Sequence, residues 1–144
     1  MGLLDRFRKK SPKRNKDTGT ALERYVKSFN HAVDGIVYCL KNEHNMIIIF
    51  IATLVAVIAG YLLEVSANEW LFIITICGLI ASCEVINSSI EATIDLITTD
   101  IHPLAKIAKD TASSATLILC IVALIGAIII FVPKIGGILW KKNY

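Results

Sequence analysis

Three apolar runs divide the chain. Met46 to Leu63, Trp70 to Cys83 and Ala115 to Val132 contain no charged residue and are rich in Ile, Leu, Val and Ala. With their flanks they reach the roughly 20 residues that a membrane-spanning helix needs. The pattern predicts spans over about 44–64, 70–97 and 103–132. Before them, Leu22, Tyr25, Val26, Phe29, Val33, Ile36, Val37 and Leu40 recur at the spacing of one helix face. Glu23, Arg24, Lys27, Asn30, His31 and Asp34 take the other faces, and Thr20-Ala-Leu-Glu23 has the form of a capping box. This predicts an amphipathic helix over about 20–41, lying in the membrane interface or packed on its own protein. Gly35 interrupts it, which suggests close packing or approach of a ligand. The breaks are short. Glu64 to Glu69 is a turn without Lys or Arg, and Trp70 follows as an interfacial anchor. Thr98 to His102 is a polar turn, and Pro103 suits the first turn of a helix. Pro133 and Gly136-Gly137 are expected to end the last span, leaving 135–144 as a short tail. The fold class is therefore all-α and integral to a membrane, with one domain over 20–134 behind a basic arm at 1–19.

The second run does not stay apolar. Beyond Cys83 the same helix carries Glu84, Asn87, Glu91 and Asp95. At 100° per residue these four fall within about 80° of one another. Val85, Ile86, Ile90 and Ile94 keep other faces apolar. A carboxylate in the bilayer core costs about 2.5 kcal/mol or more, so this stripe is a functional hypothesis by default. Asn87, Ser88 and Ser89 also fit as polar contacts between helices.

Charge adds direction. Of 144 residues 55% are hydrophobic, and 15 basic against 12 acidic residues give a net charge of +3. Nine of the basic residues lie before Ser28, and five of the acidic ones lie between Glu84 and Asp110. The basic arm and the connection after Thr98 carry Lys or Arg, whereas the first turn carries none. The positive-inside rule then puts the N-terminus and the second connection in the cytoplasm. Lys134, Lys141 and Lys142 fall on the far side, against the rule, because three spans force the termini apart. The arm can touch anionic lipid. It has no groove-reading or aromatic motif, so nucleic acid is not an expected partner. No signal peptide is expected, since the basic start lacks an apolar core and cleavage site directly behind it. The four cysteines form no CxxC and read as small apolar residues.

Glu43 closes the cytoplasmic end of the first span, at the depth expected for Glu91. Two carboxylates at a wet rim suit Mg²⁺ or another hard divalent cation, which leaves positions for phosphate oxygens. Lys109 and Asp110 reach the same rim from the third span, and Arg24 and Lys27 from the amphipathic helix. Glu84 lies two turns from Glu91, roughly 10 Å deeper. A base placed there suits removal of a proton from a lipid hydroxyl. No GxxxxGK[ST] loop, GxGxxG, DFG or HRD is present, so any use of ATP lies outside those folds. A rival class, an ion or proton conduit, needs polar residues continuing to the far side, and Trp70 to Cys83 offers only Thr75 and Ser82.

Three segments carry a resemblance: Asn42-Glu43, the run from Glu84 through Asn87, Ser88, Glu91 and Asp95 to Leu96, and His102-Pro-Leu-Ala-Lys-Ile-Ala-Lys109-Asp110. Together they resemble the prokaryotic diacylglycerol kinase family of small three-span kinases, in particular its undecaprenol kinase branch. The likeness covers about Leu22 to Phe131. It implies a bacterial cytoplasmic-membrane homotrimer with active sites shared between subunits, MgATP as co-substrate and a membrane alcohol as acceptor. Undecaprenol is the preferred acceptor and diacylglycerol the runner-up. It implies Glu84 as catalytic base beside Asn87, and Glu43 and Glu91 as metal carboxylates. Arg24, His102, Lys109 and Asp110 fall at nucleotide positions, with Lys27, Gly35 and Asp95 nearby and His31 more remotely. Ser113 falls on the lipid side with Glu84. The chain departs from the family in Asn87-Ser-Ser-Ile-Glu91, in Ala112-Ser-Ser-Ala115, and in Ile47 and Ile49, which stand where many members carry Arg or His.

Overall fold

A computed structural model describes residues 20–98, 100 and 102–142. The basic arm lies outside the described residues, as do Thr99 and Ile101 of the polar turn and the last two residues of the tail. Four helices make up the described chain: α1 (Ala21–Asn42), α2 (His44–Leu62), α3 (Ala67–Ile97) and α4 (Pro103–Lys142). The described chain divides into two units, parted between Asp34 and Gly35.

In the first unit, α1 starts on the expected capping box. The Thr20 N–H donates to Glu23 Oε2 at 2.8 Å, and the Glu23 N–H donates to Thr20 Oγ1 at 3.3 Å. Two of the donors that a helix start leaves without partners are met in this way. Leu22, Tyr25 and Phe29 are exposed, so the apolar face of this stretch is free to meet lipid.

The second unit holds the end of α1 and the three long helices, each apolar and long enough to cross a membrane. Its core is one-sided. Val65, Ile73 and Ile130 are buried, with Ala56, Trp70, Phe72, Cys77 and Phe131 packed around them. Phe50, Leu54, Ile74, Leu117, Leu124 and Ile129 remain exposed, as expected of helices solvated by lipid tails. Two glycines permit close approach. A Cβ on Gly60 would lie 2.9 Å from the Trp70 ring, and one on Gly126 would overlap the Phe72 ring. Trp70 is half-buried on Gly60, so it packs between helices as well as standing near an interface. Gly35 and Gly78 differ: a Cβ on either meets nothing within 4 Å. Packing within the chain therefore does not explain Gly35, contrary to one of the two expectations for it.

The turn between α2 and α3 is more ordered than its composition suggests. Ser66 caps α3, accepting from the Glu69 N–H at 3.4 Å while Glu69 Oε2 accepts from the Ser66 N–H at 2.6 Å. The helix thus starts at Ala67, three residues before Trp70. Glu64 has φ 51°, the left-handed conformation that ends α2.

The expected stop at Pro133 and Gly136-Gly137 is corrected: α4 continues through Pro133 to Lys142. A proline inside a helix loses one backbone hydrogen bond and costs about 3 kcal/mol. Lys134 follows it directly. Its Nζ lies 3.2 Å from Glu69 Oε2 and 3.5 Å from the Glu64 carbonyl oxygen, fastening α4 to the turn. The pair also neutralises one of the three lysines that conflict with the positive-inside rule.

Candidate active site

α3 sets the depth of the site. Its 31 residues span about 46 Å at 1.5 Å per residue, against about 30 Å of hydrocarbon. Counted from Trp70, Glu84 falls about 21 Å along the helix, Glu91 about 32 Å and Asp95 about 38 Å. With Trp70 at one face of a layer about 30 Å thick, Glu84 would fall within it, Glu91 at its rim and Asp95 beyond it.

Burial follows that order. Glu84 is 1% exposed, the most deeply buried large side chain of the described residues. Asn87 and Ser88 are buried beside it, Glu91 is half-buried and Asp95 is exposed. The Ser88 hydroxyl donates to the Glu84 carbonyl oxygen at 3.0 Å. The Ser88 hydroxyl is thus spent on its own helix. Asn87 Nδ2 donates to Glu91 Oε1 at 3.0 Å, which orients the rim carboxylate. Asn87 Oδ1 is buried with no partner. An orphaned oxygen acceptor in so apolar a place is exceptional, because it forfeits a hydrogen bond.

Glu84 opens into a pocket of about 250 Å³ lined by polar Asn45, Ser113 and Thr116, and by Ile48, Leu117 and Cys120. The structure thus brings Glu84 and Ser113 together, from α3 and α4. The Ser113 hydroxyl donates to the Asp110 carbonyl oxygen at 3.1 Å. Ile48 and Cys120 also line an apolar groove of about 310 Å³ running toward Phe72 and Ile130. A small polar pocket therefore continues into hydrocarbon-lined space.

At the rim, Lys109 Nζ lies 2.5 Å from Asp95 Oδ1, joining α4 to α3. Asp110 pairs with Lys106 one turn earlier. His102 accepts from the Leu104 N–H on Nδ1 at 3.2 Å, so this residue also caps α4. Glu43 stands at the N-cap of α2, yet its carboxylate makes no capping bond and stays available. Arg24, Lys27 and His31 belong to the first unit, and Gly35 is the first residue of the second.

Glu43, Glu91 and Asn87 carry oxygen donors of the kind a hard cation takes. Glu43 is half-buried and not committed to its helix, Glu91 is held by Asn87, and Asn87 Oδ1 is a spare oxygen. Among the described residues no three His, Cys, Asp or Glu side chains gather around one point. A cation held here would complete its shell with phosphate oxygens or water, as Mg²⁺ commonly does. Asn45 and Thr116 escaped the reading of the sequence, and Cys120 reads there only as a small apolar residue. Each sits in or beside an apolar run, where no periodicity marks it.

Three apolar spans define a multi-pass membrane protein, with a buried carboxylate beside an apolar groove. Comparison with known proteins narrows the class. A model of the family described as prokaryotic diacylglycerol kinase matches residues 30–131. An undecaprenol kinase of Bacillus subtilis is 40% identical over 121 residues, covering 84% of this chain and 98% of the relative. Diacylglycerol kinases of Helicobacter pylori and Escherichia coli are 41% and 34% identical, over 67% and 74% of this chain and 75% and 87% of the relatives. The chain belongs to the prokaryotic diacylglycerol kinase family and is a membrane lipid kinase, which implies ATP as phosphoryl donor.

Proposed function

We propose that this kinase phosphorylates undecaprenol, giving undecaprenyl phosphate and ADP, at the cytoplasmic face of the bacterial inner membrane. The observation that carries the chemistry is Glu84: a carboxylate buried to 1%, facing a polar pocket that opens into an apolar groove. The acceptor follows the undecaprenol kinase relative, which is matched over nearly its whole length.

Glu84 takes the proton of the acceptor hydroxyl as that oxygen bonds to the γ-phosphorus. The bond from the γ-phosphorus to ADP breaks, and ADP leaves. Glu43 and Glu91 would hold a divalent cation, with Asn87 keeping Glu91 in place. Such an ion, when bound, offsets charge on the phosphate oxygens. Lys109, with Arg24, Lys27, His102, Asp95 and Asp110, positions the nucleotide. Gly35 leaves room for it, in keeping with the open space at its Cβ. Ser113 faces the lipid alcohol. Because little covalent chemistry falls to the protein, positioning and charge carry the catalysis. We further propose that the working unit is a homotrimer with shared sites, with the N-terminus in the cytoplasm and residues 20–134 as the kinase domain.

The purified protein should transfer label from γ-labelled ATP to undecaprenol faster than to diacylglycerol, both presented in the same micelles. Faster transfer to diacylglycerol would reverse the acceptor assignment and leave the kinase reading standing.

A further inference from the structure

The Glu84 pocket holds a polar group that the reaction above does not use. Thr116 lines it, one turn beyond Ser113 on α4. The helix carries four hydroxyl side chains. Three are spent on its own backbone: Thr111 donates to the Ile107 carbonyl at 2.7 Å, Ser113 to Asp110 at 3.1 Å, and Ser114 to Thr111 at 2.7 Å. Thr116 Oγ1 is buried and makes no such bond. A helical threonine readily donates to the carbonyl three or four residues back. Leaving a buried hydroxyl unmet is unfavourable, and valine would have the same shape without that cost. Stability therefore does not account for a threonine at this position.

We infer that Thr116 is a substrate-positioning residue whose hydroxyl donates a hydrogen bond to the oxygen of the alcohol being phosphorylated. The inference rests on the reading of Glu84 as base and assigns that site a second contact to the same atom. An alcohol oxygen has one proton and two lone pairs. The proton faces Glu84, one lone pair accepts from Thr116, and the other attacks the γ-phosphorus. The new oxygen–phosphorus bond replaces the bond to ADP, the proton stays on the Glu84 carboxylate, and Thr116 keeps its own. Two fixed contacts on one oxygen restrict rotation of the acceptor's terminal carbon–oxygen bond, which is the orientation an in-line transfer requires. The acceptor class this selects is an alcohol with a slender end: a pocket of about 250 Å³ takes the hydroxyl and its first carbons, and the hydrocarbon continues elsewhere.

The test uses the full-length protein in micelles with ATP and undecaprenol, and compares the parent with Thr116→Val, Thr116→Ala, Thr116→Ser and Glu84→Gln. Thr116→Val and Thr116→Ala should each lower kcat about fivefold or more, and Thr116→Ser should return to within about twofold of the parent. KM for ATP should not move. The unfolding midpoint of Thr116→Val should equal or exceed that of the parent, because an unmet hydroxyl has been removed. Unchanged kcat in Thr116→Val, or Thr116→Ser as impaired as Thr116→Val, overturns the inference alone. An inactive parent, or Glu84→Gln with parental turnover, overturns the base reading and this inference with it.

Discussion

The two ends of α3 solve opposite problems. At the Ser66 end every notable polar group is paired. Ser66 and Glu69 cap each other, Lys134 binds Glu69, and Trp70 fills the space left by Gly60. At the Glu84 end polar groups are buried without full satisfaction: Asn87 Oδ1 has no partner, and across the pocket Thr116 Oγ1 has none. In an apolar medium an unmet polar group is unfavourable, so the second arrangement is poor as scaffold. Under the proposed function, nucleotide, cation and alcohol would supply the missing contacts. On that reading one end holds the helices together, and the other is left incomplete for substrates.

Substitutions should therefore separate the ends. The largest effect belongs to Glu84→Gln, which keeps shape and removes the proposed base; turnover should fall by about 100-fold or more. Glu91→Gln comes next. It should raise the divalent-cation concentration needed for half-maximal activity by about tenfold or more, read from a metal titration at fixed ATP. An unaltered titration would remove Glu91 from the ligand set. At the scaffold end, Gly126→Leu drives a side chain into the Phe72 ring and should cost about 1–3 kcal/mol of stability. Thermal unfolding in micelles reads that loss, and turnover per folded molecule should change much less. Smallest is Lys134→Ala. Its ion pair with Glu69 is solvent-screened, so at most a small shift in the unfolding midpoint is expected. A large loss of turnover from Lys134→Ala with the fold intact would break the division between the ends.

Hydropathy alone reveals the three spans, since 18 to 20 uncharged residues have few other uses. Helical spacing reveals the acidic stripe and orders Glu84, Glu91 and Asp95 by depth. What escapes is whatever depends on a second helix. Pro133 reads as a stop, yet α4 runs on past it, and Lys134 reaches Glu69, 65 positions away in the chain. Trp70 reads as an anchor until Gly60 is seen beneath it. Ser66-Ala-Asn-Glu69 carries a capping signature in plain view, masked by the stronger signal of Trp70. Thr116 is least legible of all. A threonine in a span ordinarily donates to its own helix, and only the coordinates show that this one does not.

Turnover and unfolding measured on one preparation of Glu84→Gln test the central claim most directly. A functional carboxylate held in apolar surroundings at a cost to the fold predicts that ATP-dependent phosphorylation of undecaprenol collapses while the unfolding midpoint holds or rises. Parental turnover, or a midpoint that falls together with activity, would instead make Glu84 part of the scaffold and contradict the account.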